Sequence, residues 1–192
     1  MSKNAHKTFS PYFYLILLPS LLFGYLAIIS ILAPIFEEYY FYSISNYFYN
    51  ALSNICHQYP TRSLWIMNRP MGLCSRCFAI YASFSISLIF LPLLKNRKYI
   101  VLLCFLFLPL IVDGVLQYYN IKESDNVSRV LSGVLFGIAS SMIYKYFMYN
   151  LLDTLKIILR KESILRAYKF INLIIGLGLV FLTNLYGIIA CI

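Results

Sequence analysis

The sequence predicts an all-α membrane protein, a polytopic bundle of about five transmembrane helices with interfacial helices around it. Three observations carry that prediction. Apolar residues make up 61% of the 192 residues and charged residues only 12%, far from soluble composition. The mean hydropathy is +0.75. The apolar residues are also gathered into runs of span length, separated by short polar or basic segments. A hydrocarbon core of about 30 Å needs about 20 helical residues per crossing, so five spans nearly exhaust the chain. No room remains for a soluble catalytic domain, and coiled-coil, collagen-like and disordered readings fail on the same composition. Chemistry has to sit on the spans or on the one long loop between them.

The expected spans are Pro11 to Ile35, Cys77 to Leu94, Tyr99 to Tyr118, Arg129 to Tyr149 and Phe170 to Ile192, in a single membrane domain covering 1–192. Lys3 and Lys7 ahead of the first run give it the look of a secretory signal. Its apolar stretch is too long for a signal core, however, and no small-residue cleavage pattern precedes Glu37 and Glu38, so it reads as a span. Two stretches are expected to lie at the membrane surface. Tyr40, Ile44, Phe48, Leu52 and Ile55 recur at helical spacing in an aromatic segment suited to the headgroup zone. Leu151, Leu152, Leu155, Ile158 and Leu159 form an apolar stripe beside Lys156, Arg160, Lys161 and Arg166, as in a basic interfacial helix.

The net charge of +9 comes from 16 basic residues scattered between the apolar runs, a distribution that sets membrane orientation and gives no nucleic-acid footprint. With the N-terminus inside, the cytoplasmic segments collect Lys3, Lys7, Lys95, Arg97, Lys98, Lys145, Lys156, Arg160, Lys161, Arg166 and Lys169. The opposite face holds Arg62, Arg69, Arg76, Lys122 and Arg129. The excess predicts a multi-pass protein of the cell membrane, N-terminus cytoplasmic, with the long loop outside.

That loop contains three of the five cysteines, Cys56, Cys74 and Cys77, and one of the two histidines, His57. Three thiolates and an imidazole match a tetrahedral zinc site, and the two-residue gap between Cys74 and Cys77 lets both sulfurs reach one ion. Adjacent residues rarely both ligate, so Cys56 or His57 can instead support the site from behind. A redox pair formed by Cys74 and Cys77 is the rival reading. Cys104 and Cys191 read as packing residues, and His6 as a solvated one.

Ionisable groups inside spans cost about 2.5–3.5 kcal/mol at a helix centre, so each needs a reason. Asp113 and Gln117 are four residues apart and share a helix face. Arg129 opens the next span and is expected to pair with Asp113, making with Gln117 and Asn126 a polar pocket near the cysteine loop. Gly133 and Gly137 form a small-xxx-small pair for close helix approach, with Gly176 and Gly178 in the same role on the last span.

These residues resemble domain-of-unknown-function family 2085, small membrane proteins of bacteria and archaea. The resemblance rests on Cys56-His57-Gln58, Arg62-Ser63, Cys74-Ser75-Arg76-Cys77 and Ile80-Tyr81, then on Asp113-Gly114, Gln117, Ser124, Asn126, Arg129, Gly133 and Gly137, across about 53–137. Phe78 and Ala79 stand where the family usually has a small polar residue and a glycine, and Ala82-Ser83 replaces a second glycine-containing step after Cys77. The resemblance implies that the outer cluster and the intramembrane polar residues work together, and it supplies no activity.

The resulting expectation is a zinc-binding Cys/His cluster above a pocket of Asp113, Gln117, Asn126 and Arg129, suited to hydrolysis or group transfer on a lipid-linked substrate. A transporter or channel element, a thiol-disulfide protein, and an accessory subunit of a membrane complex are the alternatives. The bilayer is the expected partner, with a homo-oligomer or a larger membrane complex beyond it.

Overall fold

The computed structural model describes residues 11–93, 97–119, 121 and 123–158. The expected span at 170–192, His6, Cys191, Gly176 and Gly178 lie outside them. Helix α1 runs Pro11–Glu38, α2 Tyr42–Ser53, α3 Ser75–Phe90, α4 Arg97–Phe105, α5 Leu108–Tyr118 and α6 Asn126–Ile158. A two-stranded antiparallel hairpin, β1 Ser63–Ile66 and β2 Arg69–Cys74, stands between α2 and α3.

Among the described residues, three helical stretches are long and apolar enough to cross a membrane: Tyr12–Glu38, Val101–Tyr118 and Asn126–Asp153. The expected second span is instead a 16-residue apolar helix, α3. The expected third span divides at Leu106 and Phe107. Pro109 has no N–H for the Phe105 carbonyl, and the chain closes with the tighter bonds Leu106 N to Leu103 O (3.0 Å) and Phe107 N to Cys104 O (3.2 Å). The segment from Leu151, expected to begin a separate basic surface helix, continues α6 without a break to Ile158. No glycine or proline interrupts it there.

Helices α3 and α6 run in the same direction. A Cβ on Gly133 would lie 2.8 Å from Arg76 O, and one on Gly137 would lie 2.6 Å from Ile80 O, so the expected close approach is made against α3. Further along, the Ser87 and Ser141 hydroxyls hydrogen-bond at 2.7 Å. Helix α1 runs the opposite way, with Ser85 Oγ donating to Ser20 O at 2.8 Å and Leu73 N donating to Ser30 Oγ at 3.0 Å. Phe23 packs on Tyr81 (5.3 Å) and Phe84 (4.8 Å) between them. Pro19 leaves the Leu15 carbonyl without its helical donor, and Tyr144 Oη donates to that oxygen at 2.9 Å.

The inward face of α2 is shifted from the expected stripe. Ser45 and Leu52 are buried, Phe48 and Ile55 pack on the core, and Tyr40 and Ile44 are exposed. Ser45 can face inward because its hydroxyl donates to Ala33 O at 2.9 Å. The hairpin turns through Met67 and Asn68, both at positive φ (50° and 59°), a two-residue turn of the primed kind that matches strand twist.

Lys145, counted from sequence among the cytoplasmic loop charges, is buried within α6. Its Nζ donates to Ser87 O at 3.2 Å and to Leu91 O, holding carbonyls at the C-terminal end of α3 where a cation is favoured. The bundle thus has two distinct ends: a cysteine end, where α3 and α6 begin, and a lysine end, where α3 finishes.

Candidate metal centre

Three elements deliver three sulfurs to the cysteine end. Cys56 follows α2, its N–H bonded to Leu52 O at 3.0 Å. Cys74 closes β2 and is the N-cap of α3, with φ −64° and ψ 156°. Cys77 lies in the first turn of that helix, so the strand-to-helix corner places both sulfurs of the pair on one side. The ligand atoms of Cys56, Cys74 and Cys77 all lie within 4.8 Å of one another, and all three residues are buried. Zinc–sulfur bonds of about 2.3 Å put tetrahedral sulfurs about 3.8 Å apart, so this group can hold an ion with small adjustments. The Cys74 N–H donates to Cys56 Sγ at 3.3 Å, the kind of contact that steadies a thiolate ligand from behind.

His57 falls outside that trio. Its ring is exposed and stacked on Tyr59, 5.9 Å between centroids. Gln58, next in the chain, has φ 53°, and from that left-handed position its Nε2 donates to Tyr49 O (2.8 Å) and Gly72 O (2.9 Å). The clasp fastens α2 to β2 and fixes the segment that carries Cys56.

Behind the sulfurs lies a polar network. Asp113 does not take Arg129 as its ion-pair partner, as expected from sequence; its Oδ2 accepts from Arg76 Nη2, with both side chains largely buried. Arg76 sits in the first turn of α3 and enters the bundle interior, where the Asp113 carboxylate offsets its desolvation. Ser124 donates to the other Asp113 oxygen. Gln117, one turn on from Asp113, lies 3.5 Å from Arg76 Nη2. With its amide oxygen turned toward Arg62, it accepts from Arg62 Nε at 3.2 Å and Nη2 at 2.9 Å. Arg129 is buried and donates to Asn126 Oδ1 at 3.4 Å, while Asn126 Nδ2 donates to Ser63 O at 3.3 Å.

Asp113, Gln117, Asn126 and Arg129 therefore do gather at the cysteine end, joined by Arg62, Arg76 and Ser124, which sequence reasoning had not put in the pocket. The signal was the position of Arg76 between two cysteines, which ties its side chain to theirs. A small cavity is lined by Gln58, Tyr59, Arg62, Cys74, Arg76, Gln117 and Arg129. A larger open groove beside it is lined by Phe105, Leu108, Pro109, Val112 and Leu116, with Asp113, Ser124 and Ser128 forming its polar edge. Asp113 stands between the two.

The chain matches the family model described as "Predicted membrane protein (DUF2085)" over residues 56–143. It is 35% identical over 159 residues to an uncharacterized protein, MJ1492, of Methanocaldococcus jannaschii, an alignment covering 70% of this chain and 97% of that relative. It is 28% identical over 101 residues to an uncharacterized protein of Methanothermobacter thermautotrophicus, covering 51% of this chain and 91% of that one. No solved structure matches. The match spans the cysteine trio, the arginine cavity and both close-approach glycines, and with the near-complete coverage of the methanogen relative it places the chain in the DUF2085 family of membrane proteins.

Proposed function

We propose that this protein is a multi-pass cell-membrane protein of five spans, with α3 among them and a fifth at 170–192, its N-terminus cytoplasmic and its cysteine end on the outer face. There it holds a zinc ion on Cys56, Cys74 and Cys77. The observation that carries the reading is the convergence of three buried sulfurs from α2, β2 and α3, one of them accepting a backbone N–H. Three thiolates leave a fourth position for an outside ligand, which separates a reactive ion from a closed structural one.

The groove supports the choice of substrate. Its wall is apolar, its rim carries Asp113 and two serines, and that rim adjoins the arginine cavity, so a lipid-linked molecule can lie along α5 with its polar group toward the ion. In this reading Asp113 accepts a proton, Arg129 steadies negative charge, and Gln117 and Asn126 hold the arginines in place. The reaction class is hydrolysis or group transfer.

The test is metal analysis of detergent-purified protein beside Cys74→Ser and His57→Ala variants. One zinc per chain, lost with Cys74→Ser and kept with His57→Ala, is the expected result. Metal-free protein with a disulfide within the trio would overturn it in favour of thiol-disulfide exchange.

A further inference from the structure

Strand β2 runs alongside the last turns of α1. Its first residue, Arg69, pairs with Glu37 at 2.8 Å, and the Leu73 N–H donates to Ser30 Oγ at 3.0 Å, two helical turns back. The strand thus descends about 10 Å along the helix on its way to Cys74. The apolar stretch of α1 is 27 residues long and ends at Glu38. At about 40 Å it reaches across a bilayer with its headgroup zones included, so Glu37 stands at headgroup level and the base of the hairpin lies below it. Further down, Ser85 of α3 bonds to Ser20 of α1, so α3 continues the descent that β2 begins. This accounts for the length of α3, only 16 residues or about 24 Å, because the hairpin supplies the outermost part of that crossing.

We propose that the hairpin belongs to the membrane-embedded surface of this protein: its exposed face, led by Trp65, lies against lipid at the boundary of headgroups and acyl chains, and the cysteine trio sits about 10 Å beneath the end of α1. The inference holds with or without an ion on the trio. A strand at that depth needs its free edge satisfied by protein, and β2 meets the need. The Pro70 and Gly72 carbonyls accept from Tyr49 Oη (2.6 Å) and Gln58 Nε2 (2.9 Å), Leu73 N has Ser30, and Pro70 has no N–H to satisfy. In a regular strand Ser63 and Trp65 would share a face. Here the register shifts between them, Ser63 is buried and Trp65 is 58% exposed. The indole N–H already donates to Pro60 O at 3.1 Å, which leaves the outward ring with no unmet donor. Met67 is exposed two residues on, and Tyr39, Tyr40, Phe41 and Tyr47 are exposed around the turn from α1 into α2. Aromatic rings gathered at one depth suit the headgroup zone.

The experiment uses the full-length protein in phosphatidylcholine vesicles. Trp65 is the one tryptophan of the chain, so tryptophan emission reports on the hairpin alone. Quenching is compared for iodide on both sides of the membrane, for lipid brominated near the headgroup end of its chains, and for lipid brominated near the methyl end. Blue-shifted emission is expected, mostly lost with the shallow bromine, less with the deep one and little with iodide. Moving the reporter toward the turn, with Trp65→Phe and Met67→Trp together, should strengthen iodide quenching and weaken bromine quenching. Emission quenched by iodide and by neither lipid puts the hairpin in water and overturns the inference. Emission that no quencher reaches puts protein over the hairpin and overturns it too. Quenching strongest with the deep bromine, or a Met67→Trp reporter deeper than Trp65, overturns the depth given for the trio. Each outcome is independent of metal content, so the zinc reading stands or falls by its own test.

Discussion

At the lysine end of the α3–α6 pair, Ser87 and Ser141 hydroxyls meet at 2.7 Å, and Lys145 donates to the Ser87 and Leu91 carbonyls. These contacts set a donor on a helical carbonyl or a hydroxyl on a hydroxyl, and the Lys145 charge is spread over a helix C-terminus. At the cysteine end the same two helices hold Arg76 and Arg129 against a cavity, three sulfurs and the Asp113 carboxylate. Both ends bury polar atoms between closely packed helices. The lysine end uses its polar groups to finish backbone hydrogen bonding, which a span requires. The cysteine end assembles charge that backbone capping does not call for, and it does so beside an opening. That difference separates a fastening from a site.

The largest effect is expected from Asp113→Asn. Removing one partner of a buried ion pair leaves the other charge uncompensated, which costs about 3–5 kcal/mol. Chemical denaturation or a thermal scan in detergent measures it. Replacing both partners, Arg76→Met with Asp113→Leu, should recover most of that stability. A double variant as unstable as Asp113→Asn alone would mean that the pair positions more of the cysteine end than the charges themselves.

Gly137 lies between the two ends and tests whether they are coupled. A Cβ there would meet Ile80 O at 2.6 Å and Phe84 N at 3.0 Å, backbone atoms that cannot turn aside. Gly137→Ala is expected to cost about 1–3 kcal/mol through overpacking. Metal content should stay near one per chain if the cysteine corner is held by the hairpin, and fall if it depends on the α3–α6 distance. Lys145→Met at the far end is expected to cost less, about 1 kcal/mol, from a lost helix-terminus charge and its hydrogen bonds. Its metal content should match the parent chain. A change there would erase the distinction between the ends.

Much of the helix packing was legible in the chain. Long apolar runs announce helices, and Gly133 with Gly137 announces a close neighbour, because these signals are local and periodic. The cysteine trio was half legible: two-residue spacing gives Cys74 and Cys77, and proximity in one loop gives Cys56, yet nothing in the chain distinguishes Cys56 from the adjacent His57 as the inward residue. That choice is made by Leu52, which receives the Cys56 N–H at the end of α2, and by the left-handed Gln58. The hairpin was hidden because Met67 and Asn68 take positive φ without the glycine that usually marks such turns. The Asp113 to Arg76 pairing spans 37 residues and follows from α5 lying beside the start of α3, a tertiary fact that no spacing rule contains. The partners of Lys145 were hidden for a related reason: its contacts with the Ser87 and Leu91 carbonyls depend on α3 packing beside α6.

The smallest expected effect concerns the clasp that carries Cys56. Tyr49, on α2 outside the spans, donates to Pro70 O of β2 at 2.6 Å. Burial, reinforced by the nearby Glu37 carboxylate and opposed by Arg69, pushes its hydroxyl up to about 12. The folded value lies above the unfolded one of about 10, so the stabilisation is fully present below pH of about 10 and is lost as pH rises through about 12. Ionisation removes the only proton that the hydroxyl can donate, and sets a negative oxygen against a carbonyl. Tyr49→Phe should therefore lose a small amount of stability at neutral pH and show a flatter alkaline limb than the parent chain. Because α2 and β2 both lead into the trio, the parent should also release metal over that alkaline range earlier than the variant. Equal release in both would place the alkaline weakness elsewhere and leave Gln58, with its two carbonyl contacts, as the clasp that matters.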